Sequence, residues 1–207
     1  MPLSKPGIIV LLGSGETLPS SGTIHEFAAR RLPEKPHIVI LETPAGFEPN
    51  SDLVAKKIKR FLARRLQNYK PRITVLPARR RGTRYSPDNP EIVAPILEAD
   101  EIMLGPGSPT YGARQLNNSV ALQMIMARQR LGGALFLSSS ATLAFGRYTM
   151  PVYEIYKVGE ALHWQEGLDF FSQYGLIFSV VPHCNKSDGG AELYTSRCYI
   201  SLLYTSP

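Results

Sequence analysis

The sequence predicts an α/β fold with a mostly parallel central sheet and helices on both faces. Short β-branched or aliphatic runs alternate along the chain with segments of helical periodicity, which is the pattern of parallel strands joined by crossover helices. Small or polar residues follow these runs, and the carboxyl ends of parallel strands share one edge of a sheet. We therefore expect a ligand site at that edge.

The predicted elements follow one another without a linker or an internal repeat. The strands are expected at residues 7–12, 37–42, 72–77, 101–104, 133–137 and 176–181, and the helices at 52–67, 89–98 and 114–130. The helix at 52–67 carries an apolar stripe at helical spacing, formed by Val54, Ile58, Phe61, Leu62 and Leu66. Its lysines and arginines therefore form the solvated face of an amphipathic helix.

The composition is that of an ordinary globular protein. Of the 207 residues, 43% are hydrophobic and 19% are charged, which suits one domain with a real core. No apolar run reaches the roughly 18 to 20 residues of a membrane helix, and the apolar stretch near the N-terminus lacks a signal-peptide cleavage site. The two cysteines, Cys184 and Cys198, cannot build a disulfide framework. We expect a cytoplasmic protein with reduced thiols.

The formal net charge is +6, and much of the basic excess lies at residues 56–65 and 79–84. No base-stacking aromatic motif accompanies these charges. We therefore expect neither a nucleic acid nor a membrane as a partner.

Three serines, at positions 138–140, follow the predicted strand at 133–137. An apolar strand that runs abruptly into small residues and then a helix is the geometry of a nucleophile elbow, which exposes a serine hydroxyl at a helix N-terminus. Serine is also a strong helix N-cap, so spacing alone leaves both interpretations open. A nucleophile needs a neighbouring base, and His183 follows the apolar run at 176–181, so it is predicted to emerge at the same edge.

A turn rich in glycine and proline follows the strand at 101–104 and is a candidate oxyanion loop. Because Pro106 has no N–H, the donor from this loop is expected to be Gly107 or Ser108, and the backbone N–H of Ala141 is the second donor. The acid that orients the imidazole remains open between Glu154 and Glu160. Glu154 is preferred because flanking aromatic residues can partly bury it.

No motif indicates a cofactor or a metal ion. The turn at 13–15 opens like a dinucleotide fingerprint, but Leu18 stands in the place of its third glycine. One set of candidate metal ligands matches no common zinc spacing, namely His183, Cys184, Asp188 and Cys198.

These motifs resemble those of the cyanophycinase and dipeptidase E family of serine peptidases, over most of the chain from the turn at 13–16 to Ile200. The family's Gly-Thr-Ser-Ala-Gly-Ala segment corresponds to residues 138–143 and places its nucleophile on Ser140, followed by Ala141. Its glycine-rich loop corresponds to residues 105–108, and its catalytic histidine to His183. Residues 195–199 resemble the arginine-containing segment that follows that histidine.

The resemblance implies the fold of class I glutamine amidotransferases, a flavodoxin-like three-layer sandwich, with serine replacing their cysteine. It also implies hydrolysis of a small peptide or isopeptide-like amide through an acyl-enzyme on Ser140, with His183 as base and no cofactor. Ser138 and Thr142 replace the family's glycines beside the nucleophile, and Leu143 replaces a small alanine. A catalytically inactive module that binds a small molecule on the same fold is therefore the alternative. An esterase cannot be separated from an amidase, and a homodimer is left open.

The C-terminal segment differs from the family. The family continues past Ile200, whereas residues 201–207 form no amphipathic helix that would close the fold. We expect one domain over residues 1–200, truncated at its C-terminus, and a non-native tail at 201–207.

Overall fold

A computed structural model describes residues 5–183 of the chain. Within this range, five strands form one parallel sheet with the order β1-β5-β4-β2-β3. The strands are β1 (Ile9–Leu12), β2 (His37–Leu41), β3 (Arg72–Leu76), β4 (Glu101–Leu104) and β5 (Ala134–Ser138). The predicted α/β class and the first five predicted strands are confirmed.

Helices connect the strands and cover both faces of the sheet. They are α1 (Pro19–Ala29), α2 (Ser51–Arg65), α3 (Pro90–Val93), α4 (Pro109–Leu116), α5 (Val120–Arg130) and α6 (Ser140–Ala144). Short 3₁₀ turns occur at Thr43–Ala45, Gln67–Tyr69, Ala94–Glu98 and Phe170–Tyr174, and a π-helical turn at Glu154–Val158. After α6, the short strands β6 (Tyr148–Thr149) and β7 (Gln165–Glu166) form an antiparallel pair.

Two hydrophobic cores, one on each face of the sheet, make the domain a three-layer sandwich. Successive side chains of a strand point to opposite faces, and the sheet follows this rule. In β2, Ile38 and Ile40 pack with Leu62 of α2. Their neighbours Val39 and Leu41 pack on the other face with the helices that follow β3 and β4.

The predicted helix at 114–130 is wrong as one element. The chain forms two helices there, α4 and α5, separated at residues 117–119. Asn118 adopts a left-handed backbone with φ of +55°, which a continuing helix does not allow. The Ser119 hydroxyl then accepts a hydrogen bond from the Leu122 N–H at 3.1 Å and caps α5.

The predicted strand at 176–181 is also wrong, because no strand forms between residue 176 and residue 183. The run is apolar, but Ile177 is 77% exposed, so it does not pack into a sheet. Its backbone instead contacts the segment after α6, where the Phe178 carbonyl accepts from the Arg147 N–H at 2.9 Å. A short apolar run does not by itself distinguish a strand from an irregular segment.

Among the described residues, no helix combines the length and the apolar character that crossing a membrane requires. The predicted tail at 201–207, the expected truncation and both cysteines lie outside the described residues.

Candidate active site

The loops that follow β1, β4 and β5 meet at the carboxyl edge of the sheet. The Ser138 hydroxyl, at the end of β5, donates to Glu16 Oε2 in the loop after β1 at 3.1 Å. The Ser140 hydroxyl donates to the carbonyl oxygen of Gly105, directly after β4, at 3.2 Å. The predicted convergence of these loops is therefore present.

Ser139 occupies the turn between β5 and α6 in a rarely populated backbone conformation. Its φ is +54° and its ψ is −114°, a region that costs a non-glycine residue free energy on the order of 1–3 kcal/mol. The neighbouring elements hold it there, because the Ser139 N–H donates to the Leu12 carbonyl at 2.9 Å and α6 begins at the next residue. This abrupt strand-to-helix turn is the geometry of a nucleophile elbow.

His183 faces Ser139 and not Ser140. The Ser139 Oγ and His183 Nε2 atoms lie 2.7 Å apart, which is hydrogen-bond distance. When Nε2 carries no proton, the serine hydroxyl donates to it. His183 itself has a φ of +66°, and its backbone N lies close to Gly13 in the loop after β1.

Ser140, the residue predicted as nucleophile, points away from this pair. Its side chain is 3% exposed, and its hydroxyl is occupied by the Gly105 carbonyl. The serine that lies within hydrogen-bond distance of His183 is thus Ser139, whereas the Ser140 hydroxyl contacts the loop after β4. A run of three serines offers three equivalent side chains, and only the turn geometry decides which hydroxyl is presented at the edge.

The side chain of Ser139 does not cap α6, which was the alternative role predicted for these serines. Ser139 occupies the N-cap position of α6, yet its hydroxyl accepts no hydrogen bond from the helix. A capping serine uses its oxygen for the N–H of the second or third helical residue. Here the same oxygen is directed at an imidazole.

The two oxyanion donors predicted in the loop after β4, Gly107 and Ser108, differ in whether their backbone N–H is already hydrogen bonded. Gly107 has a φ of +152°, and a Cβ at this position would lie 2.0 Å from the Pro44 oxygen, so the loop packs too closely for a side chain. The Ser108 N–H already donates to the Pro44 carbonyl at 2.9 Å. The Ser108 hydroxyl accepts from the Tyr111 N–H and caps α4. Of these two residues, Gly107 alone keeps its N–H outside that contact.

Ala141, the other predicted oxyanion donor, is the second residue of α6 and is buried. The first N–H groups of a helix have no acceptor within it. With Ser139 in the turn, the N–H that directly follows it belongs to Ser140.

Glu154 is not hydrogen bonded to His183. Its Oε1 accepts from the Thr110 hydroxyl at 2.6 Å, and Thr110 Oγ1 lies 3.0 Å from the Ser108 hydroxyl. Its Oε2 is buried and has no hydrogen-bond partner among the described residues. Glu160 is near His163, with 3.8 Å between Oε2 and Nε2, and both side chains are exposed.

Three residues that the sequence analysis did not single out border these loops. Glu16 ties the loop after β1 to β5, Thr110 holds Glu154, and the ring of Tyr111 packs 5.3 Å from that of Phe47. Burial raises the pKa of the Tyr111 phenol, so it stays protonated and donates to the Arg79 carbonyl at 2.9 Å. Glu16 closes the turn at 13–16 that follows β1, whereas Thr110 and Tyr111 lie in the first turn of α4, where no sequence motif marks them.

Comparison with solved structures places the fold among peptidase structures. The chain is 24% identical to a peptidase from an acI-B1 Actinobacterium, with a TM-score of 0.70, over 89% of this chain and 71% of that one. It is 14% identical to the "Putative Peptidase E Protein" of Listeria monocytogenes EGD-e, with a TM-score of 0.65, over 94% of this chain and 87% of that one. No protein-family model and no curated protein matches the chain. The three-layer α/β fold predicted from the sequence is thus the fold of these peptidase structures.

Proposed function

We propose that the chain is a serine-type hydrolase of small peptides or isopeptide-like amides, with Ser139 as nucleophile and His183 as base. One observation carries this proposal: the 2.7 Å contact between Ser139 Oγ and His183 Nε2 at a positive-φ turn between a strand and a helix. A weak hydroxyl nucleophile becomes effective when an adjacent base takes its proton. The proposal replaces Ser140 by Ser139 in the role predicted from the sequence.

In the proposed reaction, the Ser139 oxygen attacks the amide carbonyl carbon while its proton passes to His183 Nε2. The protonated imidazole then gives that proton to the leaving amine, so the C–N bond breaks and an acyl-enzyme remains. Water, deprotonated by the same imidazole, attacks the ester carbonyl; the bond from that carbon to Ser139 Oγ breaks, the imidazolium returns its proton to Oγ, and the acid is released. The cycle consumes one water molecule and requires no cofactor.

The proposed oxyanion donors are the backbone N–H groups of Ser140 and Gly107. The first directly follows the nucleophile at the N-terminus of α6, where helical N–H groups lack an internal acceptor. The second belongs to the loop whose Gly105 carbonyl contacts α6. Ser108 and Ala141 are set aside, because the Ser108 N–H is held by Pro44 and Ala141 is one residue further from Ser139. Losing one oxyanion donor typically costs about 10² to 10³ in rate.

The class of substrate rests on the likeness of fold to two structures named as peptidases and on the sequence resemblance. With Ser139 as nucleophile, the family segment moves by one residue, so that its Ser-Ala falls on Ser139 and Ser140. Its two glycines then fall on Leu137 and Ala141. Ser138 and Thr142 no longer occupy these glycine positions; they tie β5 and α6 to β1 through hydrogen bonds to Glu16 and to the Leu12 carbonyl.

The test is labelling with a fluorophosphonate probe, followed by peptide mapping of the modified residue by mass spectrometry. We expect the label on Ser139, loss of labelling in Ser139→Ala and His183→Ala, and retention in Ser140→Ala, with circular dichroism showing that each variant is folded. A label on Ser140 would reassign the nucleophile. A folded wild-type protein that takes no label would support the module that binds a small molecule without turnover.

A further inference from the structure

A cleft separate from the serine site lies between α2 and the loop that follows β1. Its volume is about 570 Å³, and it is lined by Thr17, Lys57, Arg60, Phe61, Arg64 and Arg65. Four of these six residues are cations. The volume falls in the range of sites for small ligands, and the charge of the lining indicates that such a ligand is an anion.

Three of the cations have no partner within the described part of the chain. Lys57, Arg60 and Arg64 make no side-chain hydrogen bond or ion pair with any described residue. They lie three and four residues apart, so they share one face of α2. Lys56, on a different face, is by contrast paired with Asp52 at 2.7 Å. Lys59 is the other cation of α2 without such a partner among the described residues, and it lies outside the cleft, so three of these four unpaired cations line the cleft.

The fourth cation, Arg65, is held in a fixed position by α1. Its Nε pairs with Glu26 Oε1 at 3.1 Å, and its side chain crosses Gly22. A Cβ on Gly22 would lie 2.6 Å from Arg65 Nε, so the glycine makes room for the arginine. Because the ion pair uses Nε, the terminal nitrogens of the guanidinium remain to donate to a ligand.

We infer that this cleft binds a small organic ligand through a diphosphate group. Within residues 5–183, Glu26 is the one carboxylate that contacts these four cations, which leaves three positive charges in excess. A phosphate group carries about −1.5 to −2 at neutral pH. Two linked phosphates therefore neutralise this excess in less space than three carboxylates. The planar forks of Arg60, Arg64 and Arg65 suit phosphate oxygens, and the partly buried ring of Phe61 offers an apolar surface to the organic part.

The cleft borders the loop that also touches the serine site. Thr17 lies beside Glu16 in sequence, and Glu16 accepts the hydrogen bond of Ser138, the residue before Ser139. The ligand is nevertheless held by residues of α2 that contact neither Ser139 nor His183. Binding in the cleft is thus independent of the proposed hydrolysis, and a failure of one does not imply a failure of the other.

The experiment is a calorimetric titration of the full chain carrying Ser139→Ala with inorganic pyrophosphate, at about 150 mM salt to suppress attraction by distant charges. The cleft variant is Arg60→Gln/Arg64→Gln. The control is Lys59→Gln/Lys70→Gln, which removes the same charge from exposed residues outside the cleft. We expect the cleft variant to bind pyrophosphate at least about tenfold more weakly, because it loses charge-assisted hydrogen bonds, and the control to bind like the parent.

A third variant, Gly22→Ala, displaces Arg65 without removing any charge, and we expect it to weaken pyrophosphate binding as well. Equal losses in the cleft and control variants would overturn the inference, since they would show attraction to net charge alone. Absence of pyrophosphate binding in the folded parent would do the same. If citrate bound more tightly than pyrophosphate, the ligand would be a carboxylate and the inferred diphosphate would be wrong. If a single-stranded RNA bound more tightly than pyrophosphate, the partner would be a nucleic acid and the inferred small ligand would be wrong.

Discussion

The Ser139 hydroxyl and His183 Nε2 lie 2.7 Å apart, although 43 residues separate the two in the chain. The pair forms because β5 ends in a turn that lifts Ser139 out of the sheet, while the irregular segment after residue 176 passes the loop of Gly13. The positions of Ser139 and His183 do not depend on the predicted strand at 176–181. The histidine reaches the edge of the sheet without one.

The first prediction concerns this pair. Ser139→Ala is expected to lower kcat/KM by at least about 10⁴, as loss of a nucleophile does in serine hydrolases, and His183→Ala by a similar factor. Ser139→Ala/His183→Ala is expected to be little worse than either single variant, because the two groups act in one step. Losses that multiply in the double variant would mean that the residues act separately.

Ser140→Ala is the matched control. It removes a hydroxyl that contacts the Gly105 carbonyl at 3.2 Å and leaves the backbone N–H in place. We expect kcat/KM to stay within about tenfold of the wild-type value and stability to fall by about 1 kcal/mol, the usual net value of a hydrogen bond. An inactive, folded Ser140→Ala would favour the original choice of nucleophile.

The fold could be predicted from the sequence because its signals are redundant. Every core strand combines an apolar run with a polar loop, and helical periodicity marks α2 between β2 and β3. The prediction failed for two elements, the strand at 176–181 and the single helix at 114–130, each of which rested on one sequence signal alone. The apolar run at 176–181 pairs with no strand among the residues that the structure describes, and the left-handed Asn118 interrupts a segment whose residues otherwise favour a helix.

The site could be predicted only to the level of the segment. The sequence locates three serines at a strand end, and it locates His183. Which of the three serines faces His183 depends on the backbone conformation of the turn, with its positive φ at Ser139, and residue types do not encode that conformation. The sequence likewise does not reveal that the Ser108 N–H donates to the Pro44 carbonyl, a contact between loops that are distant in sequence.

The second prediction concerns the glycine of the oxyanion loop. Gly107→Ala places a Cβ 2.0 Å from the Pro44 oxygen, so the loop must move, and with it a proposed donor. We expect a lower melting temperature and a loss of about 10² or more in kcat. Gly112→Ala is the control, since its added Cβ would meet no atom closer than 3.7 Å. Full activity in Gly107→Ala would remove this loop from the oxyanion site.

The third prediction tests whether Glu154 is the acid that orients His183. In a triad, replacing the acid by its amide lowers kcat by about 10⁴. Because Glu154 accepts from Thr110, Glu154→Gln keeps an oxygen acceptor for that hydroxyl, and we expect kcat/KM to fall by less than about tenfold. Thr110→Val, which removes the donor, should have a comparable effect. A drop of about 10⁴ in Glu154→Gln alone would identify Glu154 as the orienting acid.

The fourth prediction concerns a buried pair between α1 and β4. His25 and Glu101 are both 0% exposed, with 3.4 Å between Nδ1 and Oε1, and the His25 ring stacks on Phe136 at 4.5 Å. His25→Phe keeps the stacking but leaves Glu101 buried without its partner, which should cost about 3–5 kcal/mol. His25→Phe/Glu101→Met should recover most of this loss in urea unfolding. Costs that simply add would show that the two side chains are not coupled.

The last prediction concerns the pH dependence of stability. His37 Nδ1 lies 2.8 Å from the Arg72 guanidinium, which can only donate, so the ring is held neutral with its proton on Nε2, 2.9 Å from the Thr74 hydroxyl. Burial, and then the charge of Arg72, lowers the pKa of His37 below its usual 6.5. As the pH falls below about 6.5, the unfolded chain therefore binds a proton that the folded chain does not, and stability decreases. This contribution is fully present above that pH.

His37→Asn retains an acceptor for Arg72 but does not titrate. We expect the free energy of unfolding in urea to fall less between pH 7.5 and pH 5.5 in this variant than in the wild type, and the other histidines cancel in the comparison. Equal decreases in both proteins would show that His37 binds its proton alike in the folded and unfolded states. In that case the contact with Arg72 would not control its protonation.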